Sequence, residues 1–91
     1  MQLKSKFPLG QVVATPGALE ALGHIEAGTL LLRHSFGDWG DVCEESALLN
    51  DEALQDGSRL LSIYKSNNGT KIYILTEADR SATTILLPSE Y

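Results

Sequence analysis

The chain reads as a small α+β domain, with an antiparallel sheet, built from a hairpin and a third strand, packed against two or three short helices. Three observations predict this. Two runs rich in β-branched and aromatic residues, RLLSIYKSN at 59–67 and TKIYILTE at 70–77, flank Asn68 and Gly69, the pair that best tolerates the positive φ values of a tight hairpin turn. Residues 41–56 carry the 3.6-residue periodicity of an amphipathic helix. Ninety-one residues, 43% hydrophobic and 21% charged, suffice for one hydrophobic core but not two. Residues 1–91 are therefore expected to form a single domain.

In chain order, a short strand is expected at Gln11 to Ala14, with no neighbour assigned. It gives way to a helix at Thr15, whose hydroxyl can cap free amides, and Pro16, which suits the first helical position because it has no amide to leave unpaired. That helix is expected to be brief, running through Ala18, Leu19 and Leu22 and stopping at Gly23. The segment TLLLRHSF at 29–36 fits either a helix capped by Thr29 or a buried strand, and helix is the reading favoured here. Asp41 followed by Glu44 resembles a capping box, and Gly57 a helix stop. On a wheel, Asp41, Glu45, Glu52 and Asp56 fall within about 60°, with Glu44 and Asp51 close by, while Val42, Cys43, Ala47, Leu49, Ala53 and Leu54 take the opposite side. Leu48 is the misfit inside the acidic arc, and Asn50 could divide the helix by capping a second one. An Asn68–Gly69 two-residue turn would pair Ile63 with Ile74 and Tyr64 with Tyr73, setting Leu61, Ile63, Ile72 and Ile74 toward the helices. The loop EADRS, in which Asp79 and Ser81 suit local amide bonds, leads to a third strand at Thr83 to Leu87 that Pro88 ends.

The charge is not spread evenly. The segments 1–36, 37–57 and 58–91 carry +1, −7 and +1, so the net −5 is owed to one stretch, which also holds the only tryptophan, Trp39, and the only cysteine, Cys43. A concentrated field of this kind can serve as a binding surface. The seven basic residues are dispersed, so direct binding to nucleic acid is not expected. A single cysteine forms no internal disulfide. No run approaches the roughly 18 apolar residues of a membrane span, and MQLKSKFPLGQVVATPG has no apolar stretch of leader length. A cytoplasmic protein with no membrane contact is expected.

Two functional readings follow. In the first, Asp41, Glu44, Glu45, Asp51, Glu52 and Asp56, together with Trp39, form a binding surface for a protein partner. Over about 22 Å of helix the carboxylates could imitate the phosphates of nucleic acid. The ordinary alternative is a solvated helix face, although like charges at i and i+4 cost a few tenths of a kcal/mol each. Trp39, between Gly37–Asp38 and Gly40, is either an exposed anchor or a tryptophan folded over the core. In the second reading, Arg33, His34 and Asp38 supply base and charge-stabilising groups to a small hydrolase or nuclease, but no complete catalytic motif accompanies them. His34, Asp38, Asp41 and Cys43 match no strong metal-site spacing, and no cofactor is implied. An exposed strand edge could also pair two copies as a homodimer.

At FPLGQVVATPGALEAL, RHSFGDWGD and LTEADRSATTILLPSEY the chain resembles a family of short uncharacterised bacterial proteins found on plasmids and other mobile elements, TEADRSATTILLP being the most specific part. The resemblance carries over no functional residue. It implies the context of a mobile-element accessory protein, for which countering a host nuclease or modulating a host complex would be reasonable work.

Overall fold

The computed structural model describes residues 5–91; Met1 to Lys4, part of the N-terminal stretch read above for a leader, lie outside it. The elements are β1 (Gln11–Ala14), α1 (Pro16–Ser35), α2 (Glu44–Asp56), β2 (Leu60–Lys65), β3 (Lys71–Thr76), β4 (Ala82–Leu86) and a final 3₁₀ turn at Pro88–Glu90. This is the small α+β fold that the sequence predicts. The hairpin and the third strand form an antiparallel meander, and β1 joins it in parallel beside β4, so the four-stranded sheet is mixed, in the order β1-β4-β3-β2.

The helix signals act largely as expected. Thr15 Oγ1 accepts the Ala18 amide at 3.1 Å, and Pro16 follows at the first helical position. Gly23 interrupts the helix with φ 73° and ψ 166°, but the chain re-enters helical geometry at His24 and continues to Ser35. Residues 29–35 are therefore helical as the second half of α1, without a cap at Thr29. That hydroxyl instead donates to Ile25 O inside the helix at 3.2 Å.

α2 begins two residues later than the capping-box reading placed it, with its N-cap at Cys43 and not Asp41. The Asp41 amide donates to Ile63 O at 2.6 Å, which commits its backbone to the sheet edge and removes it from the helix. Cys43 takes the N-cap position without a side-chain cap bond and is exposed, not part of the core. Asn50 does not divide the helix. It lies buried within it, and its side-chain amide donates to Leu61 O at 2.8 Å while its oxygen accepts the Leu61 amide at 3.2 Å. Gly57 ends the helix in the left-handed region, its amide on Ala53 O at 2.9 Å.

The hairpin register differs by one residue from expectation. Ile63 pairs with Tyr73, and Tyr64 with Ile72. The turn holds three residues, Asn67, Asn68 and Gly69: the Gly69 amide donates to Ser66 O at 2.9 Å, and the Ser66 amide to Thr70 O at 2.8 Å. A one-residue slip moves every side chain of one strand to the other face, here those of β2, while Ile72 and Ile74 of β3 face the helices as expected. Leu60, Ser62, Tyr64, Ile72, Ile74 and Thr76 thus face α1, and Leu61, Ile63, Tyr73 and Leu75 the far side. The main core joins Ala18, Leu22, Ala27 and Leu30 of α1 to Tyr64, Ile72, Ile74 and Ile85. A second cluster, Phe7, Trp39, Ala53 and Leu60, ties α2 to the end of the sheet.

Candidate functional site

Arg33 and His34 are neighbours on α1, but a step of about 100° sends them to opposite environments. His34 is 0% exposed. Its ring meets the edge of Phe7 at 5.2 Å and of Trp39 at 5.8 Å between centroids. The hydrogen bonds around it run in one direction. Thr83 Oγ1 donates to Leu9 O at 2.7 Å, so it must accept from Thr76 Oγ1 at 2.7 Å. Thr76 has then spent its only hydrogen and accepts from His34 Nε2 at 2.9 Å. His34 Nδ1, left bare, accepts from Ser62 Oγ at 2.6 Å. The chain of donors places a hydrogen on Nε2, and for the neutral ring it selects that tautomer. Burial, with a smaller contribution from the Arg80 charge, lowers its pKa from 6.5 to about 4.

Arg33 stays at the surface, where its Nε donates to Asp38 Oδ2 at 2.7 Å and its guanidinium lies 4.7 Å from the Tyr64 ring centroid. That pairing raises the Arg33 pKa and lowers that of Asp38. The Tyr64 hydroxyl donates to Asp38 O, and burial pushes its pKa up to about 12. A groove of about 410 Å³ between α1 and the hairpin is lined by Glu26, Arg33 and Lys65 among others, but not by His34. Arg33 and Asp38 are thus joined to each other and His34 is set apart from both: a general base must reach the proton it abstracts, and both His34 nitrogens face core hydroxyls.

Trp39 folds inward and is only 6% exposed, its indole Nε1 donating to Asp51 Oδ1 at 3.0 Å. It anchors the loop before α2 to the core and offers no surface to a partner. The carboxylates have the opposite placement. Glu44, Glu45, Asp51, Glu52 and Asp56 on α2, and Asp41 just before it, are all exposed. Among the described residues the ion pairs are Arg33–Asp38 and Arg59–Glu77, and none involves α2. Leu48 and Leu49 are each 59% exposed on the same helix. Leu48 falls within the acidic arc and Leu49 at its margin, so the outward surface of α2 is acidic with an apolar centre.

Two residues hold α2 in place: Asn50, which the sequence offered as a break in the helix, and Arg80, for which it offered a structural ion pair with the acidic helix. Asn50 bonds both backbone groups of Leu61. Arg80, at φ 60°, donates to Ala53 O in the last turn of α2 at 2.9 Å and to Ser58 O at 2.6 Å. Arg80 thus meets α2 through helix carbonyls, where a cation is favoured. The EADRS loop forms as expected, with the Ser81 amide donating to Asp79 Oδ1 at 2.9 Å.

Among the described residues no group of three or more His, Cys, Asp and Glu is placed to hold a metal ion, and no helix is long and apolar enough to cross a membrane. No protein-family model, curated protein or solved structure matches the chain.

Proposed function

We propose that the protein is a non-enzymatic interaction module whose α2 surface docks on a basic protein partner. The observation that carries this reading is the pairing of five exposed carboxylates, without an ion pair among the described residues, with the exposed Leu48 on one helix that Asn50, Trp39 and Arg80 fasten to the sheet. Charge alone would suit imitation of nucleic acid toward a protein that binds it. The exposed Leu48 adds a requirement for an apolar socket ringed by Lys or Arg, because burying a leucine contributes about 2 kcal/mol that solvated phosphates cannot. The resemblance to mobile-element proteins supports a host protein, in the cytoplasm, as that partner. The hydrolase alternative has less support, since its base is sealed in the core.

Capture of host proteins from bacterial extract tests the reading. Glu45→Lys with Glu52→Lys, and separately Leu48→Ser, lie on the outward face and are expected to leave the fold intact while reducing recovery of the partner at least about tenfold. Equal recovery by folded wild type and both variants would return this face to an ordinary solvated surface.

A further inference from the structure

The sheet has two edges, treated very differently. At β2 the outward backbone groups of Leu61 and Ile63 are occupied: Ile63 N donates to Trp39 O at 3.1 Å, Ile63 O accepts Asp41 N at 2.6 Å, and Asn50 bonds both groups of Leu61. At β1 the Gln11 amide donates to Ser81 O and the Thr15 amide to Ile85 O, each at 3.0 Å. By the two-residue alternation of a strand, Val12 and Ala14 turn their N–H and C=O groups away from β4. Among the described residues no hydrogen bond from outside β1 reaches them. Val12 is 43% and Val13 41% exposed. Natural edges are usually blunted by shortness, charges, proline, bulges or a covering segment; β1 is short, at four residues, but among the described residues it carries none of the others between Gln11 and Ala14.

We infer that β1 is a self-association edge, which pairs antiparallel with β1 of a second copy about a two-fold axis at Val13. Charge selects that occupant. From Phe7 to Leu19 there is no charged residue, and the Glu90 carboxylate, bonded to Thr15 Oγ1 and the Leu87 amide, sits past the end of β1, so two molecules of net charge −5 would pair there with no charge on the joined strands. The acidic α2 packs at the opposite edge, about 14 Å away across three strand spacings. An uncharged strand repeated by symmetry is complementary to itself, whereas nothing at this edge would recognise a charged peptide. Register follows from the flanks: Gly10 has φ 65° and Thr15 caps α1, so only Val12↔Ala14 pairing about Val13↔Val13 keeps every bonded residue within β1. It adds four inter-strand hydrogen bonds and closes the two Val13 side chains on each other. The result is one continuous eight-stranded sheet. Four residues a side bury less than the roughly 800 Å² per partner of a stable complex, so the dimer is weak and reversible.

Sedimentation equilibrium of the full chain from about 5 to 500 μM is the test, with a mass rising toward twice that of the monomer expected over the range. Val12→Pro removes one outward amide while leaving the bonds to β4, and Val13→Lys sets two cations against each other. Either is expected to weaken dimerisation at least about tenfold. Amide exchange adds a readout needing no variant: Val12 and Ala14 should gain protection at high concentration. A chain monomeric at the highest concentration, or a dimer unchanged in Val13→Lys with Val12 and Ala14 unprotected, overturns the assignment.

Discussion

His34→Ala is expected to lower the unfolding free energy by about 3–5 kcal/mol, a large part of what a domain of this size possesses. The substitution empties a ring-sized volume between Phe7 and Trp39 and leaves the Ser62 and Thr76 hydroxyls without their ring partner in the core. The Ser62 hydroxyl, left without its acceptor, costs about 1–3 kcal/mol unless water enters, while Thr76 keeps its donated bond to Thr83. Glutamine at this position can still accept from one hydroxyl and donate to the other, so His34→Gln should recover part of the loss. The two variants also isolate a pH effect. The folded protein holds His34 neutral down to about pH 4, whereas the unfolded chain takes up the proton near 6.5. Between these values the unfolded state binds more protons, so the stability due to neutral His34 is fully present above about pH 6.5 and lost as pH falls toward 4. The loss amounts to about 3 kcal/mol. Denaturant melts of the wild type from pH 8 to 4.5 should show this fall, and His34→Gln should remove most of it. If the glutamine variant is as acid-sensitive as the wild type, another group is responsible and the network does not hold a neutral ring.

The same residues explain what the sequence conceals. Capping by Thr15, the stop at Gly57 and the existence of every strand were legible because each depends on local backbone chemistry. The hairpin register was not. LLSIYK offers apolar side chains on both faces, so hydrophobic alternation does not select one, and the choice falls to the turn, where Asn67-Asn68-Gly69 competes with the tighter Asn68-Gly69. The inner face also carries Ser62, Thr76 and Thr83, residue types that read as solvent-facing until His34 is seen between them. A buried polar network of this kind is a long-range property, joining residues 28 and 42 positions apart. The acidic face of α2 was legible in outline, since five of its six wheel-assigned carboxylates lie on the helix and are exposed. Its start was not, because the pairing of the Asp41 backbone with Ile63 is invisible to a helical wheel. Leu48, the misfit of that wheel, is exposed among the carboxylates, as its wheel position inside the acidic arc requires.

Gly40→Ala is expected to cost about 3–4 kcal/mol and to release Trp39. Gly40 lies at φ 76°, where an L side chain is strained by about 1–2 kcal/mol. The added Cβ would also run into Ile63 O and come within 2.6 Å of Tyr64 Cδ1. Neither neighbour can easily yield: Ile63 is held in β2 and pairs across to Tyr73, while Tyr64 is buried against α1 with its hydroxyl on Asp38 O. The strained segment must therefore withdraw, taking the Trp39 and Asp41 backbone bonds from the β2 edge and the Trp39 indole from Asp51. Gly57 supplies the control. Its φ is 80°, yet a Cβ there meets nothing within 4 Å, so Gly57→Ala should cost only the backbone strain of about 1 kcal/mol. Denaturant melts followed by tryptophan emission separate the two: Gly40→Ala should shift the native emission to the red at zero denaturant, and Gly57→Ala should leave it unchanged. Equal losses in the two variants, with unshifted emission in both, would mean that the close approach of Gly40 to β2 does not secure the loop that positions α2.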